Sequence, residues 1–428
     1  MATGTSLSDI FPLGSHINER GRLEVGGCDA IELAREFGTP AYIVAEDDLR
    51  ARARGFLAAG REGNHDDFHV VFASKAFPCS AVLALFAAEG LWCDVASGGE
   101  LHLALRAGFQ PERIVLHGNA KSEAELRMAL RHRVGLIVID NFDELERLEG
   151  LLAEGVAADR GTQPVLVRVT PDVWGQTHAK ISTGQADSKF GFSMADAARA
   201  LARVGEIAGL ELRGLHAHIG SQLLELDPFR AAAAELAALG EFPVWDLGGG
   251  LGVRYTEGQP PPPGTEEYVA AVVAAAHANG HGPGRRLLIE PGRALCANAG
   301  VTLYTVESVK ENVSRWVAVD GGMSDNLRPM LYGAVYEAHI ADRFDGADEC
   351  VLAGKHCESG DVVVREARLA EPRAGDVVVV AATGAYGHAM ANNYNGVPRP
   401  PVIFCREGDA RVVVRRESFE DLTARDVG

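Results

Sequence analysis

Between residues 67 and 293, short apolar runs alternate with longer stretches of helical composition. The runs are Phe68–Ala73, Leu91–Val95, Ile114–His117, Gly135–Ile139, Pro164–Val169, Leu212–Ala217, Pro243–Leu247 and Arg286–Ile289. Each stops on polar residues or glycine. The intervals between them, such as Ser80–Glu89, Gly99–Ala107, Ser122–Arg131, Phe142–Ala153, Ala195–Ile207 and Pro228–Leu239, are rich in Ala, Leu and Glu at helical period. Strand then helix, repeated for all eight runs, predicts an α/β fold of the (β/α)8 TIM-barrel type. A doubly wound open sheet is the alternative that the pattern alone leaves open.

The residues that end each run matter more than the number of runs. The stops are Lys75, Asp94 with Ser97, Gly118-Asn119, Asp140-Asn141, Arg168, His218-Ile-Gly-Ser221, Gly248-Gly249-Gly250 and Glu290-Pro291-Gly292-Arg293. In a barrel all of them lie at the C-terminal mouth, where active sites of this fold are assembled. Beyond the barrel the texture changes to β-branched runs, at Val301–Val309, Trp316–Val319, Val377–Ala382, Val402–Phe404 and Ala410–Val414. The expected organisation is therefore three stretches: N-terminal strands in residues 1–45, the barrel in 46–299, and a mainly β domain in 300–428, with Leu23–Val25 and Ala41–Val44 adding strands to that β domain. Pro260–Pro263 reads as an exposed loop, and Thr170–Phe192, around Trp174–His178, as an active-site flap.

Composition narrows the function classes. A hydrophobic content of 47% with 23% charged residues is that of a globular enzyme. The formal charge of -18 speaks against nucleic acid or an anionic membrane as partner. The first residues carry no charged and apolar leader, and no apolar run approaches the ~18 residues of a membrane span. The seven cysteines lack CxxC or other metal-type spacing, so no metal is expected, and reduced thiols in a cytoplasmic protein are the simplest account.

Lys75 is the residue that invites chemistry, because it closes the apolar run His69–Phe77. An ammonium beside an apolar core is paired, neutral or covalently occupied, unless it merely snorkels to water. The glycines at 248–250 suit a phosphate or a tight turn. Glu290 is a strand-end acid that could keep a pyridinium protonated or simply satisfy the fold, and His218 could lie against a ring or sit in the core. Lysine, phosphate cradle and carboxylate at one mouth suggest pyridoxal phosphate. Cys357-Glu358-Ser-Gly-Asp361 is either a proton-donating thiol or a turn with a buried cysteine.

Taken in order along nearly the whole chain, Ala73-Ser-Lys75-Ala, His218-Ile-Gly-Ser221, Gly248–Gly250, Glu290-Pro-Gly-Arg293, Asp320-Gly-Gly-Met323, Cys357-Glu-Ser-Gly-Asp361 and Gly384-Ala-Tyr-Gly387 resemble the fold-type III pyridoxal-phosphate decarboxylases. The resemblance implies a barrel plus β domain working as a homodimer with active sites at the subunit interface. It implies Lys75 as the Schiff-base lysine, His218 as the ring-stacking residue and Glu290 as the pyridinium partner. Ser221, Gly248, Gly249, Gly250, Gly292 and Tyr386 would hold the phosphate, with Asp94, Arg168, Pro291 and Arg293 completing the cofactor's surroundings. Arg293, Arg328, Tyr332, Glu358 and Tyr386 would contact the substrate. Cys357 and Glu358 would come from across the interface, with Cys357 returning a proton to the α-carbon. The implied reaction is decarboxylation of meso-2,6-diaminopimelate to L-lysine, since a second amino-acid centre calls for opposite charges such as Arg328 and Glu358. The rivals are a decarboxylase of ornithine, arginine or a carboxylated polyamine, a racemase, and a non-catalytic protein that binds the same cofactor. Glu290 speaks against the racemase, which would favour an arginine at the ring nitrogen.

Overall fold

A computed structural model of the chain describes residues 5–63, 65–156, 161–171, 173 and 188–428. They form two compact units, one of residues 52–252 and 262–294, the other of residues 1–51, 253–261 and 295–428. The division at 51/52 and 294/295 departs from the expected 45/46 and 299/300, and residues 253–261 group with the β-rich unit although the sequence pattern puts them inside the barrel. The helix Glu46–Glu62 runs straight across the first boundary, so no break in pattern marks it.

In the first unit eight parallel strands succeed one another around a closed sheet: Phe68–Ala73, Trp92–Val95, Ile114–Leu116, Leu136–Ile139, Gln163–Thr170, Leu210–His216, Val244–Asp246 and Arg286–Ile289. The eighth pairs with the first through Leu287 and Phe68, and the fourth with the fifth through Ile137 and Val165. The barrel expectation holds, and the open sheet is excluded by these pairings. Val71, Trp92, Val115, Leu136, Val138, Leu166, Val244 and Leu288 make one buried apolar cluster drawn from every strand but the sixth. At that level the sixth strand carries Gly214, where a Cβ would lie 1.8 Å from the carbonyl oxygen of Val244. Burying such side chains stabilises the fold by about 1.5–3 kcal/mol each.

The intervening helices begin where side chains can cap them. Ser97, Ser122, Asn141 and Ser193 accept the amide N–H of Glu100, Glu125, Glu144 and Asp196. Lys121, 3% exposed, ties the loop after the third strand to the fourth, its Nζ donating to Gly118 O and Val138 O at 2.7 Å and reaching Glu144 at 2.9 Å. At the opposite ends of the strands sits a histidine group. His281 is fully buried and stacked on Trp245 with ring centroids 4.4 Å apart, and its Nε2 lies 2.9 Å from Arg286 O. His65 is buried beside it, with Nδ1 3.0 Å from His277 Nε2.

The second unit is mainly β. A nine-stranded sheet runs Val362–Leu369, Asp348–Ala353, Arg315–Val319, Gly300–Glu311, Ala41–Ala45, Val402–Arg406 and Asp409–Val414, with Val377–Val380 branching from the long strand and Ala338–Ile340 pairing with that branch. Ala41–Ala45 is fully buried, antiparallel to Gly300–Leu303 on one edge and parallel to Val402–Cys405 on the other. Leu23–Val25 belongs to the same unit, though not to this sheet: it lies in a separate four-stranded one with Thr5–Ser6, His16–Ile17 and Cys28–Asp29, from which Leu23 and Val25 reach the core shared with Ile43, Val301 and Ile403. No helix among the described residues is long and apolar enough to cross a membrane.

Candidate active site

The C-terminal ends of the barrel strands open into a cavity with about 480 Å3 of empty space, counting the part continuous with solvent. Lys75, Asp94, His117, Arg168, His216, His218 and Glu290 line it. Lys75 is not buried in a strand, as its apolar run suggests. The first strand stops at Ala73, and Ser74–Ala76 form one tight turn that buries Ser74 and Ala76 and leaves the Lys75 side chain accessible at the cavity. Pro291 and Gly292 back this turn. Ala73 N–H donates to Pro291 O at 3.3 Å, and a Cβ on Gly292 would meet the Ala73 Cβ at 3.0 Å.

Glu290 comes directly after the eighth strand and is 5% exposed. His216 Nε2 donates to its Oε2 at 3.3 Å, and His117 Nε2 lies 2.7 Å from Oε1 at an angle bent away from an ideal hydrogen bond. Burial would raise this carboxyl, but the two imidazoles outweigh it and hold the acid well below the usual carboxylate range. Asp246, fully buried, is driven the other way by burial and by Glu290. Burial likewise pushes Asp94 up to about 6, with His117 working against the rise, and pulls His216 down to about 4.

His218 sits two residues beyond the sixth strand, and its Nδ1 accepts the Gly249 N–H at 3.1 Å. A neutral imidazole there carries its proton on Nε2. Burial, then the charge of Lys75, hold its pKa well below the usual value. Arg168 rises from the fifth strand with its guanidinium 3.7 Å from Asp140 and over the ring of Phe190 at 4.4 Å. Phe190 belongs to the expected flap, of which Trp174–His178 lie outside the described residues. The described end returns as Phe192–Ser193, paired with Val169–Thr170.

The glycine turn has a structural reason for its composition. A Cβ on Gly248 would lie 2.6 Å from Ala217 O, one on Gly249 2.1 Å from Glu290 O and one on Gly250 2.6 Å from Gly220 O. Two of its amides are already committed, Gly248 N–H to Asp246 Oδ1 at 2.9 Å and Gly249 N–H to His218. Beside it, Arg293 donates to Ser221 Oγ at 2.7 Å. These groups fit pyridoxal phosphate: an accessible amine for its aldehyde, a buried carboxylate for its ring nitrogen, an imidazole for its face, and glycine, serine and arginine for its phosphate.

The remaining expected residues belong to the β-rich unit. Arg328 is buried, its Nη1 hydrogen-bonded to the Tyr336 hydroxyl and its guanidinium 4.8 Å from the Tyr255 ring and 5.9 Å from that of Tyr386. Tyr332 ends the short helix Arg328–Tyr332 and is half-buried. Cys357 and Glu358 stand on an exposed turn, so the reading of Cys357 as a buried turn cysteine is excluded, while the other six cysteines are buried. Asp361 organises that turn by accepting from Met323 N at 2.8 Å and from His356 N and Nδ1 at 3.0 and 2.7 Å.

Sequence reasoning missed His117, His216 and Asp246, which close an apolar run or stand next to its last residue and so read as part of the strand. The barrel rule that strand ends face the mouth would have caught them.

Residues 61–297 match the family model for the pyridoxal-binding domain of pyridoxal-dependent decarboxylases. The chain is 46% identical to the diaminopimelate decarboxylase of Bacillus subtilis, over 96% of this chain and 97% of that one. It is 42% identical to that of Mycobacterium tuberculosis, over 98% of both. The crystal structure of diaminopimelate decarboxylase from M. jannaschii in complex with L-lysine superposes with a TM-score of 0.90 at 32% identity, covering 97% of this chain and 98% of that one.

Proposed function

Because this chain belongs to the diaminopimelate decarboxylases, within the pyridoxal-dependent decarboxylases, we propose an assignment of roles to the residues gathered at its barrel mouth. The reaction is decarboxylation of meso-2,6-diaminopimelate to L-lysine and carbon dioxide, the last step of lysine biosynthesis. The observation that carries the assignment is that the accessible amine of Lys75 and the buried, imidazole-flanked Glu290 line one cavity.

Pyridoxal phosphate, when bound, supplies a ring that takes up the electron pair released as the carboxylate leaves. Lys75 would hold the cofactor through Nζ, Glu290 would hold a proton at the ring nitrogen, and His218, fixed by the Gly249 amide, would lie against the ring. Ser221, Gly250, Gly292 and Arg293 would hold the phosphate, joined by Tyr386. Asp94 and Arg168 complete the wall. Arg328 has a guanidinium fork suited to a carboxylate, and Arg328, Tyr332 and Glu358 would recognise the distal amino-acid centre. Cys357 would return a proton to the α-carbon. We place this enzyme in the cytoplasm, since seven cysteines without disulfide-type or metal-type spacing fit a reducing compartment, and infer a homodimer in which Cys357 and Glu358 serve the partner's site.

Two experiments test the reading. Carbon dioxide release from labelled meso-diaminopimelate should exceed that from ornithine or arginine, and equal release would sink the substrate assignment. Mixing inactive Lys75→Ala and Cys357→Ala proteins should restore part of the activity if the site is shared between subunits, and none if each subunit is self-contained.

A further inference from the structure

We propose that His117 and His216 are positioning residues for Glu290, each turning an Nε2–H toward one carboxylate oxygen so that the acid stays an anion directed at the cofactor's ring nitrogen. This rests on the pyridoxal-phosphate reading above and deepens it.

The geometry defines the proton positions. His216 is 1% exposed, and its Nδ1 has no hydrogen-bond partner among the described residues. Its single proton therefore belongs on Nε2, 3.3 Å from Glu290 Oε2. The opposite tautomer would bury an unsatisfied donor and face a lone pair to a carboxylate. His117 Nε2 lies 2.7 Å from Oε1, off the line of an ideal hydrogen bond, and because a lone pair facing a carboxylate oxygen at that range would be repelled, its proton belongs there too. The two rings stand edge to face at 4.9 Å, one on each oxygen. Asp246 is the third neighbour. Its Oδ1 accepts the Gly248 amide, while Oδ2 has no donor among the described residues. Two buried carboxyls cannot both ionise at such range, so the proton resides on Asp246 and Glu290 meets donors only. Asp94 and Arg168 also face this group, Asp94 lying 3.9 Å from His117.

A neutral Glu290 would donate to the ring nitrogen and leave the ring unprotonated, a poor electron sink. The imidazoles thus act on the electronics of a cofactor they need not touch. One ligand atom from each of His117, His216, Asp246 and Glu290 lies within 4.8 Å of the others, a spacing that a divalent metal could also use. Such an ion would compete for the carboxylate that the pyridinium needs.

The test is nitrogen NMR of holoenzyme reconstituted with pyridoxal phosphate labelled at the ring nitrogen, in which pyridine and pyridinium signals are separate. Parent enzyme should show pyridinium. The pair His117→Phe/His216→Phe should lose most of that signal at neutral pH and regain it only on acidification, whereas His117→Gln/His216→Gln, which keeps a donor at each position, should retain it. If the Phe pair does not fold by circular dichroism, His216→Phe alone should show partial loss. A pyridinium signal unchanged in the Phe variants overturns the inference, as does full loss in the Gln pair or one equivalent of zinc in purified holoenzyme. Failure of parent enzyme to retain the cofactor would instead remove the reading on which it rests.

Discussion

Lys75 and Lys121 follow the first and third barrel strands and have opposite fates. Lys121 is buried with its Nζ shared among two carbonyls and Glu144, and burial lowers its pKa while Glu144 draws it back. It is a structural cation. Lys75 reaches the cavity from a turn whose other residues are buried. Replacing Lys121 by Met should leave Glu144 uncompensated and cost about 3–5 kcal/mol, read as a lower urea midpoint, with the absorbance of bound cofactor unchanged per folded molecule. Lys75→Ala should do the reverse, changing apo-protein stability by no more than about 0.5 kcal/mol and abolishing that absorbance. Glu290→Gln should retain cofactor yet lower kcat by about 100- to 1,000-fold, the usual loss when one electrostatic contact to developing charge is removed. Lys75, His218, Glu290 and Arg293 were legible in the sequence because a polar residue after an apolar run declares itself. His117 and His216 were not, because an imidazole inside or closing an apolar run looks like a core histidine until the strand's end is placed at the barrel mouth.

At the level of elements, the strands of the barrel were legible to within a residue or two, since most are buried on both faces and read as continuous apolar runs, the sixth, with half-buried Glu211 and Arg213, being the exception. The strands Asp348–Ala353 and Val362–Leu369 were not: Glu349, Arg365, Glu366 and Arg368 on their exposed positions break the run. The same contrast predicts where substitutions hurt. Leu288→Ala, in the barrel cluster, should cost about 2–5 kcal/mol, whereas Arg368→Ala should be near neutral in the same denaturation assay. The His281–Trp245 stack adds a pH dependence. Burial pulls the His281 pKa down to about 4, below the ordinary imidazole range. A depressed pKa means stability that is complete above the unfolded value and lost as pH falls through the folded one, so the barrel should weaken from about pH 6.5 downward to about 4. The slope per group approaches about 1.4 kcal/mol per pH unit. Urea midpoints monitored by tryptophan fluorescence should show this decline in the parent, and a flatter one in His281→Phe.

For the whole molecule, the order of elements along the chain and their order in space disagree. The barrel is built from residues 52–252 and 262–294, while the β-rich unit takes both ends of the chain and residues 253–261 between them. That threading was only partly legible: Ala41–Val44 reads as a strand of the β domain, but nothing local marks Val253–Pro261 as leaving the barrel, because its membership is decided by contacts such as Arg254 to Asp9 and Glu257 N–H to Glu337, far away in sequence. Truncation after Pro401 would remove the strand that covers one edge of Ala41–Ala45. Such a protein should aggregate through that bare edge, which light scattering of the purified fragment would detect.

The position of Ala41–Ala45 between Gly300–Leu303 and Val402–Cys405 also sets a timetable for synthesis. A ribosome adding roughly 5–20 residues per second delivers the second neighbour some tens of seconds after the strand itself. During that interval one of the most apolar segments of the newborn chain has an open edge, and shielding it falls to whatever binds nascent polypeptides.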